Sequence, residues 1–187
     1  MVRAWVSAAF VLLLVLVGGC GSTAGGTVAS SGSAFNATDV AWLQLAEALH
    51  ARALPMLALA PGRSASPELV EVAERLAEEH GEGRERLRAL LVRAGAGSVE
   101  NPHAGHDMPG MPTADDLEAL RGLRGKKFDR RFVPLVRAYL DQLVLVAEGE
   151  RRSGASEEVR RLAATMARAH EAELARLAEA APETSVR

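Results

Sequence analysis

The chain has one cysteine, few aromatic residues and no marked excess of either charge, and each shortage removes a class of protein. A single cysteine among 187 residues leaves no internal disulfide and no thiol pair for a Cys-x-x-Cys metal site. A formal net charge of −2 gives no electrostatic basis for holding nucleic acid. Aromatics are 4% of the residues and β-branched runs are few, which argues against a sheet-rich fold. What the chain does have is Ala, Leu, Arg and Glu. With 48% hydrophobic and 25% charged residues, this is the composition of amphipathic helices around a buried core.

The cysteine is explained by its position. Met1–Val2–Arg3 is a short positive start, Ala8 to Val17 is unbroken apolar sequence, and Val17–Gly18–Gly19–Cys20 closes the segment with small residues. This is the layout of a signal peptide, and its last four residues match the lipobox of bacterial lipoproteins. The apolar run is too short to span a bilayer comfortably as a retained helix. The expectation is a signal peptide and lipobox over 1–20, with Cys20 carrying diacylglycerol. Two acyl chains suffice to hold a protein on the extracytoplasmic face of the cell membrane. Residues 21–34, rich in Gly, Ser, Thr and Ala and uncharged, read as a flexible tether. Residues 182–187 read as a frayed tail.

Between them, 35–181 carries helical periodicity throughout. Trp42, Leu45, Ala46, Leu49, Ala53, Met56 and Leu57 mark a first helix from about Thr38 to Ala60, with Pro55 near its end. Ser66 and Pro67 open a second, whose stripe is Leu69, Val72, Ala73, Leu76, His80, Leu87 and Leu91. After a long connection, Thr113 with Asp115 and Asp116 caps a short helix. A third main helix covers roughly Lys127 to Glu150 on Phe128, Phe132, Val136, Tyr139, Leu143 and Val146. A fourth opens at Ser156 and carries Val159, Leu162, Ala163, Met166, His170, Leu174 and Leu177. The halves repeat at a shift of 90 residues, which lays Ser66 on Ser156, Trp42 on Phe132, Ala73 on Ala163, Leu76 on Met166 and His80 on His170. The expected fold is all-α, a four-helix bundle built from two pseudo-symmetric helical hairpins.

Several segments together resemble the bacterial domain-of-unknown-function family 305 (DUF305). They are Phe35–Asn36–Ala37–Thr38–Asp39–Val40, His106–Asp107–Met108–Pro109–Gly110–Met111, Asp115–Asp116–Leu117–Glu118–Ala119–Leu120, Phe128–Asp129–Arg130–Arg131–Phe132 and His170–Glu171–Ala172–Glu173–Leu174. The resemblance implies a ferritin-like four-helix bundle, usually exported, in a family some of whose members bind copper. The departures are specific. Typical members place an adjacent His-His pair on the first helix of each hairpin, where this chain has Leu49–His50 and Tyr139–Leu140. Conversely, His80 and His170 fall where a polar residue such as glutamine is expected, so the chain looks like a divergent member.

Two groups of side chains are candidates for chemistry. The loop at 101–112 brings His103, His106, Met108 and Met111, with Asp107, into nine residues (103 to 111). Imidazoles accept copper in either state, and thioethers favour copper(I). The second group is His50, His80 and His170, the last two on apolar stripes. A buried imidazole must hydrogen-bond, pair with a charge or bind a metal, so the expectation divides. Three converging imidazoles suit zinc or copper. Partners such as Glu, Tyr139 or backbone groups would instead make them satisfied core residues. The basic cluster Lys126, Lys127, Arg130 and Arg131 is a surface that anionic lipid heads could meet.

A di-iron enzyme needs Glu-x-x-His on two helices. Glu47–Ala48–Leu49–His50 supplies it once, and Arg137–Ala138–Tyr139–Leu140 cannot supply it again. No other motif indicates catalysis. The expectation is a non-enzymatic, lipid-anchored extracytoplasmic bundle with a weak transition-metal role, copper preferred. The competing expectation is a structural or protein-interaction lipoprotein that has lost metal binding. Membrane contact is expected through the lipid, and no nucleic acid partner is expected.

Overall fold

The computed structural model describes residues 34–181. The expected signal peptide and lipobox with Cys20, the tether up to residue 33 and the tail at 182–187 lie outside the described residues. Within them are five α-helices and no strand: α1 (Ala37–Leu57), α2 (Pro67–Arg93), α3 (Ala114–Arg121), α4 (Gly125–Ser153) and α5 (Glu157–Ala180). No described helix is long and apolar enough to cross a membrane.

The helix starts follow local chemistry. Asn36 caps α1 by accepting from the Asp39 N–H, and Asp39 reaches back to the Asn36 N–H. Ser66 and Ser156 accept from Leu69 N–H and Val159 N–H at the heads of α2 and α5. Thr113 and Asp116 form the same reciprocal pair on α3. Pro55 lies in the last turn of α1 and Pro134 inside α4, and both helices run on past them. The described boundaries extend the expected third main helix by about one turn at its end. They also end the first helix at Leu57, where the chain turns through Gly62 at φ +74°.

Consecutive long helices pair as hairpins, α1 with α2 and α4 with α5, and the hairpins meet chiefly through α1 and α4. Buried side chains fall into two apolar layers. One gathers Leu49, Met56, Leu57, Leu69, Leu76, Leu120, Phe128, Phe132, Val136, Leu143 and Leu177. The other gathers Trp42, Leu43, Ala46, Leu87, Leu90, Leu91, Ala147, Val159 and Ala163. Along α2 the first layer ends at Leu76, His80 follows, and the second begins at Leu87. Along α5 the second layer ends at Ala167, His170 and Glu173 follow, and the first resumes at Leu177. His50, His80, His170 and Glu173 thus form a buried polar belt between two apolar slabs.

The long connection between the hairpins is fastened rather than free. Asn101 donates to the carbonyl of Gln44 and to Glu47, at 2.8 and 2.9 Å. Asp107 is paired with Arg52. At Gly110, φ +79°, a Cβ would stand 2.4 Å from Gln142 and 2.9 Å from the Ala138 carbonyl, so only glycine lets the loop pass this close to α4.

Candidate metal centre

His50, His80 and His170 arrive in the polar belt from three helices. Their rings are 4.7 Å (His50–His80), 5.1 Å (His80–His170) and 6.0 Å (His50–His170) apart, centroid to centroid. All three are buried. They are joined by two groups. The Tyr139 hydroxyl, from α4, lies 2.7 Å from Nδ1 of His50 and 2.5 Å from Nδ1 of His80. One oxygen of Glu173, Oε2, lies 3.0 Å from Nε2 of His80 and 2.8 Å from Nδ1 of His170.

These contacts determine where the protons sit when the imidazoles are neutral. A carboxylate only accepts, so His80 carries its proton on Nε2 and His170 carries its own on Nδ1. His80 Nδ1 is then a lone pair and accepts from the Tyr139 O–H. The phenol oxygen in turn accepts from His50 Nδ1–H, which leaves Nε2 of His50 bare. That Nε2 is buried and has no hydrogen-bond partner.

The electrostatics agree with this reading. Burial holds His50 well below its ordinary pKa, and the neighbouring imidazoles add to the effect. Burial likewise lowers His170, against the pull of Glu173. Burial of Glu173 opposes its charge, but the hydrogen bonds from His170 and His80 outweigh it and keep the carboxyl far below the usual range. Burial pushes the Tyr139 phenol well above its ordinary value, with the Glu173 charge assisting. The belt is a fixed carboxylate, a neutral phenol and imidazoles with lone pairs to offer.

One nitrogen each from His80 and His170 and one oxygen of Glu173 all lie within 4.8 Å of one another. Ligand atoms about 2.0–2.1 Å from a tetrahedral ion stand about 3.3 Å apart. The two Glu173 contacts, at 3.0 and 2.8 Å, are already close to that spacing. A cavity of about 370 Å³ between α2 and α5 opens onto the group, bordered by Glu79, Gly83, Met166 and Arg176.

The loop candidates are placed differently. Met111 is buried in the apolar core and Met108 packs half-buried against it, while His103 is half-buried and His106 exposed. The structure therefore does not present the four as one set on a common surface. Glu47, the lone Glu-x-x-His carboxylate, accepts from Arg84 at 2.8 Å and Arg88 at 3.1 Å, away from His50's bonded neighbours. Sequence reasoning singled out the histidines and Tyr139 but missed Glu173. The usable signal was its spacing, three residues after His170 on one helix face.

The sequence matches the family description "Domain of unknown function (DUF305)" over residues 39–181. Among solved structures the chain is similar to a DUF305 protein from Streptomyces coelicolor, at 22% identity, a TM-score of 0.67 and coverage of 76% of this chain and 90% of that one. It is also similar to CopM in its Cu(I)-bound form, at 18% identity and TM-score 0.61, and in its Cu(II)-bound form, at 19% and 0.62. Each CopM match covers 75% of this chain and 93% of the other. At these identities the likeness establishes a shared fold. No curated protein matches the sequence.

Proposed function

The chain belongs to the DUF305 family, and from that premise we propose a ferritin-like four-helix bundle, lipid-anchored through Cys20 on the extracytoplasmic face, that binds a transition-metal ion in its core. The carrying observation is the convergence of His80, His170 and Glu173 within ligand distance of one another, with His50 beside them. The fold shared with copper-bound CopM makes copper the ion to test first. Imidazole nitrogen and carboxylate oxygen suit copper(II) or zinc.

On this reading Glu173 and the Nε2 of His80 bind the ion, and His170 completes the set. The protein's part is binding and retention, with no catalytic step. A bound ion takes the lone pairs that now hold protons at His80 Nε2 and His170 Nδ1, so loading releases protons or moves them to the other ring nitrogens. Tyr139 orients the His80 ring from behind, as groups bonded to the far nitrogen of a metal-binding histidine commonly do. Beside the group, His50 Nε2 is buried and has no hydrogen-bond partner.

The test is titration of the full chain with Cu(II) and Cu(I) against a competing chelator. Three forms are compared: unaltered protein, His80→Leu/Glu173→Gln, and the loop variant His103→Ala/His106→Ala. For Cu(II), the expected result is one tightly held ion that survives the loop variant and weakens by at least about 10-fold in the core variant. Loss in the loop variant alone would move the site to the loop. If neither ion competed with the chelator, metal binding would be overturned and a protein-interaction role favoured.

A further inference from the structure

The proposed centre uses His80, His170 and Glu173 and leaves the His50 lone pair unspent. Its surroundings differ from theirs. Shifted by 90 residues, Glu173 falls on Gly83, so where one hairpin supplies a carboxylate the other supplies no side chain. A Cβ at Gly83 would stand 3.7 Å from His50 Nε2 and 3.9 Å from the terminal methyl of Met166. Those contacts are ordinary, so the space is real and unfilled. It belongs to the cavity between α2 and α5 that both residues border. Met166 falls on Leu76 in the repeat, but Leu76 is buried in the apolar layer whereas Met166 is half-exposed beside this space.

The bare nitrogen and the thioether therefore face one opening. We propose that His50 Nε2 and Met166 Sδ form a second, softer metal site over Gly83, selective for a monovalent ion such as Cu(I) or Ag(I). It is distinct from the His80–His170–Glu173 set. Thioether sulfur with a single imidazole is a donor pair that Cu(I) accepts and harder divalent ions do not favour. The long, unbranched Met166 side chain can turn its sulfur toward the opening with little repacking. Binding here displaces no proton, because the His50 proton already sits on Nδ1, against Tyr139. The inference rests on the reading that the core of this protein handles copper, and it assigns the reduced ion to its own place.

The experiment uses the full chain labelled with ¹³C at the methionine methyls and Ag(I) as a redox-inert stand-in for Cu(I). The chain has five methionines, and Met166→Leu identifies one methyl signal. That substitution keeps the volume, and Gly83→Leu fills the opening while leaving both ligand residues in the sequence; melting temperatures confirm that both variants fold. Ag(I) is expected to shift the Met166 methyl selectively, and each variant is expected to weaken Ag(I) at least about 10-fold against a competing chelator. In Met166→Leu, Cu(II) affinity is expected to be unchanged. An unmoved Met166 methyl, movement of Met108 or Met111 instead, or full Ag(I) affinity in Met166→Leu would overturn the soft site. Ag(I) bound at Met166 in a protein that takes no Cu(II) would overturn the His80–Glu173 centre alone.

Discussion

Asp39 and Asp129 stand at corresponding places in the two hairpins and perform the same task on each other's turns. Asp39, in the first turn of α1, accepts from the backbone N–H groups of Ala155 and Ser156, which lead into α5, at 3.1 Å each. Asp129, in the first turns of α4, accepts from the Ser64 hydroxyl at 2.6 Å and the Ala65 N–H at 3.3 Å, which lead into α2. Both are buried and 90 residues apart, and each ties its own hairpin to the loop of the other. The repeat therefore encodes an interlock between the hairpins as well as two similar hairpins.

Removing either carboxylate strands buried N–H donors, so Asp39→Ala and Asp129→Ala are each expected to cost about 1–3 kcal/mol in urea unfolding. The clasps sit at opposite ends of α1, a helix of 21 residues and so about 30 Å long. The double variant should therefore lose close to the sum of the two. A double variant no worse than either single one would disprove the reciprocal clasp.

Tyr139 is the hinge of the polar belt. Tyr139→Phe keeps the packing but leaves Nδ1 of both His50 and His80 without partners. A loss of about 2–4 kcal/mol is expected in denaturant unfolding, larger than an exposed hydroxyl deletion would give. A near-neutral effect would show that water replaces the phenol and that the belt is open.

Glu150 provides the pH dependence. Burial first, and the adjacent Asp39 carboxylate second, push its carboxyl from 4.5 up to about 8. The folded state thus holds this proton more tightly than the unfolded chain. Its contribution is complete below pH 4.5, falls as the pH rises, and is gone above about 8. Glu150→Gln should flatten that slope and raise the Tm at pH 8 by a few degrees, on the order of 4–8 °C per kcal/mol regained. An unchanged slope would show that Glu150 does not carry it. Gly154 belongs to the same corner, since a Cβ there would collide with the Glu150 carboxyl and stand 2.8 Å from Asp39. Gly154→Ala is accordingly expected to destabilise despite its ordinary backbone angles.

Ser66 and Ser156 give a further paired test. Each caps the second helix of its hairpin, and each serine-to-alanine change is expected to cost about 1 kcal/mol by chemical denaturation. Ser156 is buried, where water replaces a lost cap less readily, so its variant should be the more costly.

The sequence by itself determined the helices, three of their caps and the family. Ser66, Thr113 and Ser156 act through contacts three residues away, and helical stripes depend only on local spacing. Even the repeat was legible, because it is a register within the chain. Only the tertiary structure decided which side of each helix faces which neighbour. A stripe gives a helix's buried face but not its rotation or height against a partner. That is why His50, His80 and His170 could be named as candidates but not joined, and why Glu173 and Met166 were not among the candidates. Met111 is the reverse case: one residue of a polar-looking loop, it is drawn into the core because Gly110 lets the backbone pass against α4. Local signals reach about one turn along the chain, whereas a binding site is made by side chains that only packing brings together.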